Sequence, residues 1–475
     1  MVFSSNIFLF MFLPAFLLLY YVVGSRWRSL VIVLGSYLFY SWWRPDFLLL
    51  FVGITYWNYW FGLRIKANLD SDNKQRAFRW LTVGVIGNLA TLGYFKYANF
   101  GVDVITAALE PLGINTFTLE RIILPLGISF YVFQAISYIV DIYRKQAEPT
   151  RSLIDFAAYI ALFPQLIAGP IVRYKLIDLQ LKQRTHSMEL FSLGVSRFMV
   201  GFIQKVLIAD SLAPLSAMFL SESEPQVVDA WLGLLASVVQ LTFDFSGYSN
   251  MAIGLGMMMG FRFPENFNQP FMAQSITEFW QRWHMTLGDF LRDYVYMPIV
   301  RRRMAGPLVA LVYTMLLSGF WHGASFAFIL WGLFFGVTMV VERRLGIATK
   351  INTPYNVWRN ARTFLLLNLS MPLFHTGDLR HSLDIYAGLF GFNGLGNLEG
   401  YVYGASLMSI SFLVVALTWW FFTGRINLRY YAGEQEGYFM QHVSSLSALF
   451  LWAGFVLALT RLAANSFSPF LYFQF

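Results

Sequence analysis

Cysteine is absent from the 475 residues. That excludes disulfides, thiolate nucleophiles, Cys-ligated zinc and iron–sulfur clusters, and leaves the redox compartment open. Charge is scarce as well. Only 13% of the residues are Asp, Glu, Lys or Arg, against about 25% in an ordinary soluble domain. Apolar residues take up the difference: 57% are hydrophobic, Phe alone occurs 48 times, and the mean hydropathy is +0.54. A soluble fold keeps a polar exterior and cannot hide that much apolar surface, so the composition specifies an integral membrane protein. Its apolar runs are of helical length, which excludes a β-barrel built on alternating strands of roughly 10 residues. No GxxxxGK[ST] phosphate loop, no HExxH zinc pair and no GxSxG nucleophile elbow occurs, so neither ATP-driven work nor these hydrolytic designs are indicated. The net charge of +8 is read as cytoplasmic loops rich in Lys and Arg and not as a nucleic-acid surface.

Residues 1–24 form one apolar stretch without a basic flank or a small-residue cleavage site, read as a retained first helix. Further runs at about 29–43, 46–63, 79–97, 123–141, 191–220, 229–261, 307–321, 322–342, 360–376, 403–423 and 443–462 complete the candidate spans. With the N-terminus outside, the basic residues concentrate in one set of loops: Arg26, Arg28, Arg64, Lys66, Arg144, Lys175, Arg184, Arg301, Arg302, Arg303, Arg343, Arg344, Arg425 and Arg429. The other set carries few, among them Arg44, Lys96, Arg121, Arg380 and Arg461. No internal repeat and no soluble domain interrupts the pattern, so residues 1–475 read as a single membrane domain.

Three segments depart from simple spans. Residues 153–172 carry Pro164, Gly169 and Pro170 in apolar surroundings, which fits a re-entrant segment or a Pro-kinked helix. Residues 276–294 place Ile276, Phe279, Trp280, Trp283, Leu287, Phe290, Leu291 and Tyr294 on one helical face, with Glu278, Gln281, Arg282, Asp289, Arg292 and Asp293 on the other. That pattern predicts an amphipathic helix at the interface with His284 turned into protein. Residues 315–330 enclose His322 among Gly319, Gly323, Ala324 and Ser325, small enough to admit another helix or a ligand.

His186, His375, His381 and His442 fall in or near loops and helix ends, where solvated or structural roles suffice. His284 and His322 sit in apolar segments, where an ionisable side chain marks a functional site or a helix-packing hydrogen bond. A desolvated imidazole stays neutral and suits a general base that deprotonates a hydroxyl attacking an activated acyl group. With no metal motif and no Cys, direct transfer at a His is the simplest scheme. Asp244, Ser246, Tyr248, Ser249 and Asn250 lie within a long apolar segment, and Ser129, Tyr131 and Gln134 within another. They fit a polar passage and interhelical hydrogen bonding equally.

The ordered motifs SYLFYSWW, GYFKYANF, LPLGISFYVFQAISYIVDIYR, FPQLIAGPI, FDFSGYSNMAIGLGMMMGF, ENFNQP, ITEFWQRWH, LRDYVY and FWHGASF run over essentially the whole chain. In them the sequence resembles the membrane-bound O-acyltransferase family, and within it the bacterial polysaccharide O-acetyltransferases of the alginate type. The resemblance implies an all-α polytopic membrane protein: a ring of about 11–12 transmembrane helices, with re-entrant and interfacial helices, around a central tunnel. It implies catalysis at His322, with His284 as donor-side positioning group or second base. It further implies Arg282, Arg262, Arg292 and Trp283 on the donor side, and Asp244, Tyr248, Asn250 and Trp321 lining the tunnel. No metal or bound cofactor is implied. The donor substrate would be acetyl-CoA, and the acetyl group would cross the bacterial inner membrane to acetylate an exopolysaccharide in the periplasm. Periplasmic or membrane-anchored esterase-like proteins would finish the transfer, and Arg380, His381 and Phe467–Phe475 are candidates for partner or sugar contact, the aromatic terminus fitting an interfacial aromatic belt equally. After LRDY this chain reads MPIVRRRMAG where alginate-type relatives carry a Gly-Gly-Asn-Arg-like loop, which opens the polymer to cellulose or another exopolysaccharide. The competing readings are a transporter or flippase, and a structural subunit of an export complex.

Overall fold

The computed structural model describes residues 1–113, 119–221, 224–396, 407–423 and 445–465. Arg425, Arg429, His442 and Phe467–Phe475, singled out above, lie outside these. Among the described residues the regular elements are all helical, with no β-strand. Contacts group the chain into two compact units, Met1–Val195 with Ala252–Phe263, and Ser196–Met251 with Pro264–Phe475.

The first unit holds α1 (Leu13–Val22), α2 (Arg28–Ser41), α3 (Phe47–Asp70), α4 (Lys74–Leu109) and α5 (Ile128–Tyr143), then α6 (Leu153–Ala161), α7 (Phe163–Leu166) and α8 (Tyr174–Lys182). Inside the α3–α4 pair, Asn58 and Asn88 exchange carboxamide hydrogen bonds of 3.0 and 2.8 Å, satisfying two polar groups that apolar surroundings would otherwise penalise. The segment 153–172 is a broken helix whose carboxyl-side backbone is buried. Side chains supply the missing partners: Ser36 Oγ accepts from Phe163 N at 3.2 Å, Gln165 donates to the Tyr159 carbonyl at 2.7 Å, and the Tyr159 hydroxyl donates to the Val172 carbonyl at 3.0 Å. Helix-breaking residues at depth survive only when protein re-satisfies the backbone in this way.

The chain continues through α9 (Met188–Ile203), a π turn at Gln204–Ala209, α10 (Asp210–Ser221) and α11 (Val227–Met258). The second unit then builds α12 (Ile276–Phe279), α13 (Met285–Leu291), α14 (Met297–Arg301), α15 (Pro307–His322), α16 (Phe326–Arg344), α17 (Val357–Thr376), α18 (Leu379–Leu389), α19 (Leu407–Thr423) and α20 (Ser445–Asn465). By length and composition three stretches of the described residues are long and apolar enough to cross a membrane: Met188–Ala217, Val227–Met258 and Phe326–Arg344. Phe8–Val22, Ile128–Tyr143, Pro307–His322, Ser409–Thr418 and Ala448–Ala464 are apolar but shorter. The 16 residues of α15 rise about 24 Å, short of the roughly 30 Å hydrocarbon core.

The expected amphipathic helix over 276–294 is corrected. Helix α12 stops after four residues, and His284 takes a left-handed backbone conformation at φ 44° to cap α13. The cause is competition from residues 266–268. The Asn266 carbonyl accepts from Met285 N at 2.9 Å, the Asn266 side chain accepts from Thr286 N at 3.3 Å, and Asn268 N donates to the Arg282 carbonyl at 2.8 Å. These bonds take backbone groups that a continuous helix would use. The predicted polar face meets water only in part: Gln281 and Arg292 are exposed, but Glu278 and Arg282 are buried.

Candidate functional site

His284 and His322 belong to one aromatic cluster in the second unit. His322 is the last residue of α15 and 4% exposed. Its ring meets Trp321 at 4.7 Å, Trp331 at 5.1 Å and Phe374 at 5.1 Å between centroids, each close to edge-on. His284, 1% exposed, packs edge-on to Phe245 at 4.8 Å and tilts against Trp321 at 6.2 Å. Trp321 thus touches both imidazoles, whose centroids lie at most about 11 Å apart. Trp280 closes the cluster from the other side, edge-on to Trp331 at 5.7 Å and to Phe335 at 5.2 Å. The indole Nε1–H groups of Trp280 and Trp331 are buried without a hydrogen-bond acceptor among the described residues.

Sequence places His322 where two helices can approach closely. A Cβ on Gly319 would strike the Phe328 carbonyl oxygen, and one on Gly332 the Met315 carbonyl oxygen. Glycine at both positions lets α15 and α16 close on each other and holds Trp331 beside His322.

The tautomer of His284 follows from its neighbour. Asn266 Oδ1 accepts from the Thr286 hydroxyl at 2.8 Å and from the Thr286 amide, a group that can only donate. The atom facing His284 Nδ1 at 3.0 Å is therefore an oxygen, so Nδ1 carries the proton and Nε2 the lone pair. Burial lowers the His284 pKa to about 3, which keeps the ring neutral at physiological pH.

A buried polar scaffold holds this segment. Glu342 accepts from Ile276 N at 2.7 Å, Thr277 N at 2.9 Å and the Thr277 hydroxyl at 2.9 Å. Glu278 accepts from Arg282 Nε at 2.9 Å and from the Thr349 hydroxyl at 2.6 Å. The Arg282 guanidinium also donates to the carbonyls of Asn268 and Ile351, at 3.0 and 3.2 Å. Arg282 therefore spends its fork inside the protein. Of the other residues expected on the donor side, Arg262 is exposed in the first unit. Arg292 is exposed and paired with Asp289 and Asp293 at 2.8 and 2.9 Å. Trp283 stacks on Phe279 at 5.6 Å and meets Phe267 edge-on at 5.0 Å.

The three polar residues expected along the passage all lie on α11. Asp244 pairs with Lys205 at 2.7 Å, and the same ammonium reaches Asp210 at 2.7 Å. Asn250 accepts from Arg197, whose guanidinium also binds Glu265 in a bidentate pair. Tyr248 is buried. Sequence reasoning missed Lys205, Arg197, Glu265, Asn266, Trp331 and Phe374. Lys205 had a readable signal, as a lone ammonium within an apolar run. Asn266 lay inside the noted ENFNQP motif, but no pattern linked it to a His 18 residues on.

A family model for MBOAT, the membrane-bound O-acyltransferase family, matches residues 46–349. A probable alginate O-acetylase AlgI of Pseudomonas syringae pv. tomato is 46% identical over 526 residues, covering 100% of each chain. One of Pseudomonas aeruginosa is 51% identical over 396 residues, covering 82% of this chain and 75% of the relative. A peptidoglycan O-acetyltransferase of Helicobacter pylori is 33% identical over 432 residues, covering 83% and 81%.

Proposed function

The chain belongs to the membrane-bound O-acyltransferase family, and from that premise we propose that it O-acetylates an exopolysaccharide, using acetyl-CoA from the cytoplasmic side of a bacterial inner membrane. It is a membrane protein and an acyltransferase. Among polymers, alginate is favoured by the full-length likeness to alginate O-acetylases. The observation that carries the site is the shared Trp321 between two buried histidines.

His322 acts as the base. Its ring takes the proton of the acceptor hydroxyl as that oxygen attacks the acetyl carbonyl. The thioester C–S bond breaks, the ester C–O bond forms, and the proton passes to the departing coenzyme thiolate. The carbonyl oxygen gains negative charge on the way and needs a donor. The Trp331 indole N–H, on a ring 5.1 Å from His322, is a candidate for that role. His284, held neutral with Nε2 as its acceptor atom, positions the donor or relays the proton. Arg282 serves as a positioning residue that fixes the 276–284 segment. Arg262 and Arg292 are the candidate contacts for the donor's phosphates. Esterase-like partners on the outer side would complete delivery to the polymer, with Arg380, exposed, and His381, half-buried, in the first turn of α18 as candidate contacts.

The test is the O-acetyl content of secreted polysaccharide, by proton NMR, in cells carrying the wild type or His322→Ala at matched membrane abundance. Loss of acetyl groups from polymer that is still secreted is the expected result. Unchanged acetylation removes His322 from the chemistry and favours a transport or scaffold role.

A further inference from the structure

A second polar cluster lies in the first unit, where α1 ends and α2 begins. Two guanidiniums, Arg28 and Arg184, converge on His186 and Tyr20. Arg28 Nη1 lies 3.0 Å from His186 Nδ1, and His186 Nε2 lies 3.0 Å from the Tyr20 oxygen. The Tyr20 hydroxyl donates to the Met259 carbonyl at 2.7 Å, so its oxygen accepts from His186 Nε2–H and leaves Nδ1 to accept from Arg28. Arg184 donates to the Ser29 hydroxyl at 2.7 Å, the Leu181 carbonyl at 3.2 Å and the Tyr20 oxygen at 3.4 Å. Arg28 also lies over the rings of Tyr20 and Tyr21, and Arg184 over that of Phe261.

Every one of these partners is neutral. No carboxylate pairs with either guanidinium among the described residues, and Arg28 Nε is buried without an acceptor. Two adjacent cations with neutral neighbours repel each other and favour a bound anion. The effect is visible on His186: burial, then Arg28, then Arg184 hold its pKa below the ordinary imidazole value.

The shape around the cluster narrows the anion. A cavity of about 370 Å³ is lined by Tyr21, His186, Ser187, Met188 and Phe191. Met188, in its lining, is 79% exposed, and Leu18 and Val22, on α1 with Tyr21, are 69% and 74% exposed, an apolar flank on that helix. A soluble phosphate compound would use the cations alone. A phospholipid would use both parts, because its headgroup phosphate is covalently tied to acyl chains. Basic pockets beside membrane helices recognise lipid headgroups in this manner. We infer that Arg28, Arg184 and His186 form a binding site for the headgroup phosphate of an anionic phospholipid, whose acyl chains lie on the exposed face of α1. The inference rests on membrane embedding and not on the transferase reading.

The experiment titrates the purified full chain, in non-ionic detergent, with phosphatidylglycerol or phosphatidylcholine and counts bound lipid by native mass spectrometry. Phosphatidylglycerol is expected to be retained at least about fivefold better, and Arg28→Gln to lower its retention about fivefold. Arg28→Gln with Arg184→Gln should lower it further, while the exposed Arg303→Gln leaves it unchanged. Equal retention of the two lipids by the wild type would overturn the site without any variant having to fold. So would unchanged phosphatidylglycerol binding in a monodisperse Arg28→Gln protein. Displacement of bound phosphatidylglycerol by coenzyme A would overturn the lipid assignment in favour of a soluble phosphate ligand.

Discussion

Asn266 Oδ1 stands 3.0 Å from His284 Nδ1 and holds the imidazole as the Nδ1–H tautomer. One carboxamide oxygen thereby does two things. It directs the basic nitrogen, and through Thr286 it helps set the backbone reversal that carries His284 at φ 44°. A non-glycine residue in that region is uncommon and costs about 1–3 kcal/mol, a strain that clusters at functional sites.

Replacing Asn266 by Ala releases the ring. Acetyl transfer in membrane vesicles is expected to fall about tenfold to hundredfold, a loss in the range of one misplaced catalytic contact. Asn266→Asp restores an acceptor at the same place and should recover most of the rate. Full activity in Asn266→Ala would show that the His284 tautomer has no part in turnover.

The burial of His284 also sets a pH dependence. Its pKa is about 3 in the folded protein against an ordinary 6.5, so between those values the unfolded chain binds the extra proton. Stability is complete above about pH 6.5 and declines as pH falls below it, by about 2 kcal/mol at pH 5. His186, lowered in the same direction, adds to the decline. Thermal unfolding of the detergent-purified protein at pH 7.5 and pH 5 measures the slope. His284→Gln should flatten it, and an identical slope in that variant would contradict the assignment.

Lys205 neutralises two carboxylates at once, Asp244 and Asp210, and is 2% exposed. Lys205→Met should destabilise the protein by about 3–5 kcal/mol, because Asp244 stays buried without the Lys205 ammonium. Adding Asp244→Leu should return part of the loss. Heating followed by fluorescence-detected size exclusion reads both. A double variant less stable than Lys205→Met alone would show that the pair is not coupled.

Trp331→Phe keeps the aromatic contact with His322 and deletes one N–H. If that N–H meets the reacting carbonyl, kcat should drop about tenfold to hundredfold, up to the loss seen for an oxyanion donor. Stability should hold or rise slightly, since a buried donor without an acceptor disappears. A drop in stability with kcat unchanged would make Trp331 a packing residue only.

Gly332→Ala tests the close approach of α15 and α16. The added methyl would meet the Met315 carbonyl oxygen, which a rigid helix backbone cannot withdraw. A loss of about 1–3 kcal/mol or of membrane expression is expected. Leu333→Ala, on an exposed part of the same helix, is the control that should be nearly silent.

Composition decided that this is a membrane protein, because no soluble surface can be made from so little charge, and the length of the apolar runs made it helical. Local pattern located His284 and His322, since an ionisable ring in an apolar run is costly wherever the chain later goes. Ordered motifs carried the family. The amphipathic reading of 276–294 failed because hydrophobic periodicity reports only contacts along one helix. There the backbone found better partners in residues 266–268, and the side chains of Thr277 and Glu278 found Glu342 and Thr349. The partners of the ionisable groups were equally out of reach. Lys205 and Asp244 are 39 positions apart, Asn266 and His284 18, and Trp321 touches both histidines, 38 positions apart. Burial of an imidazole in an apolar run is written in the local sequence. Which group satisfies it depends on which helices come together, and that only tertiary packing decided.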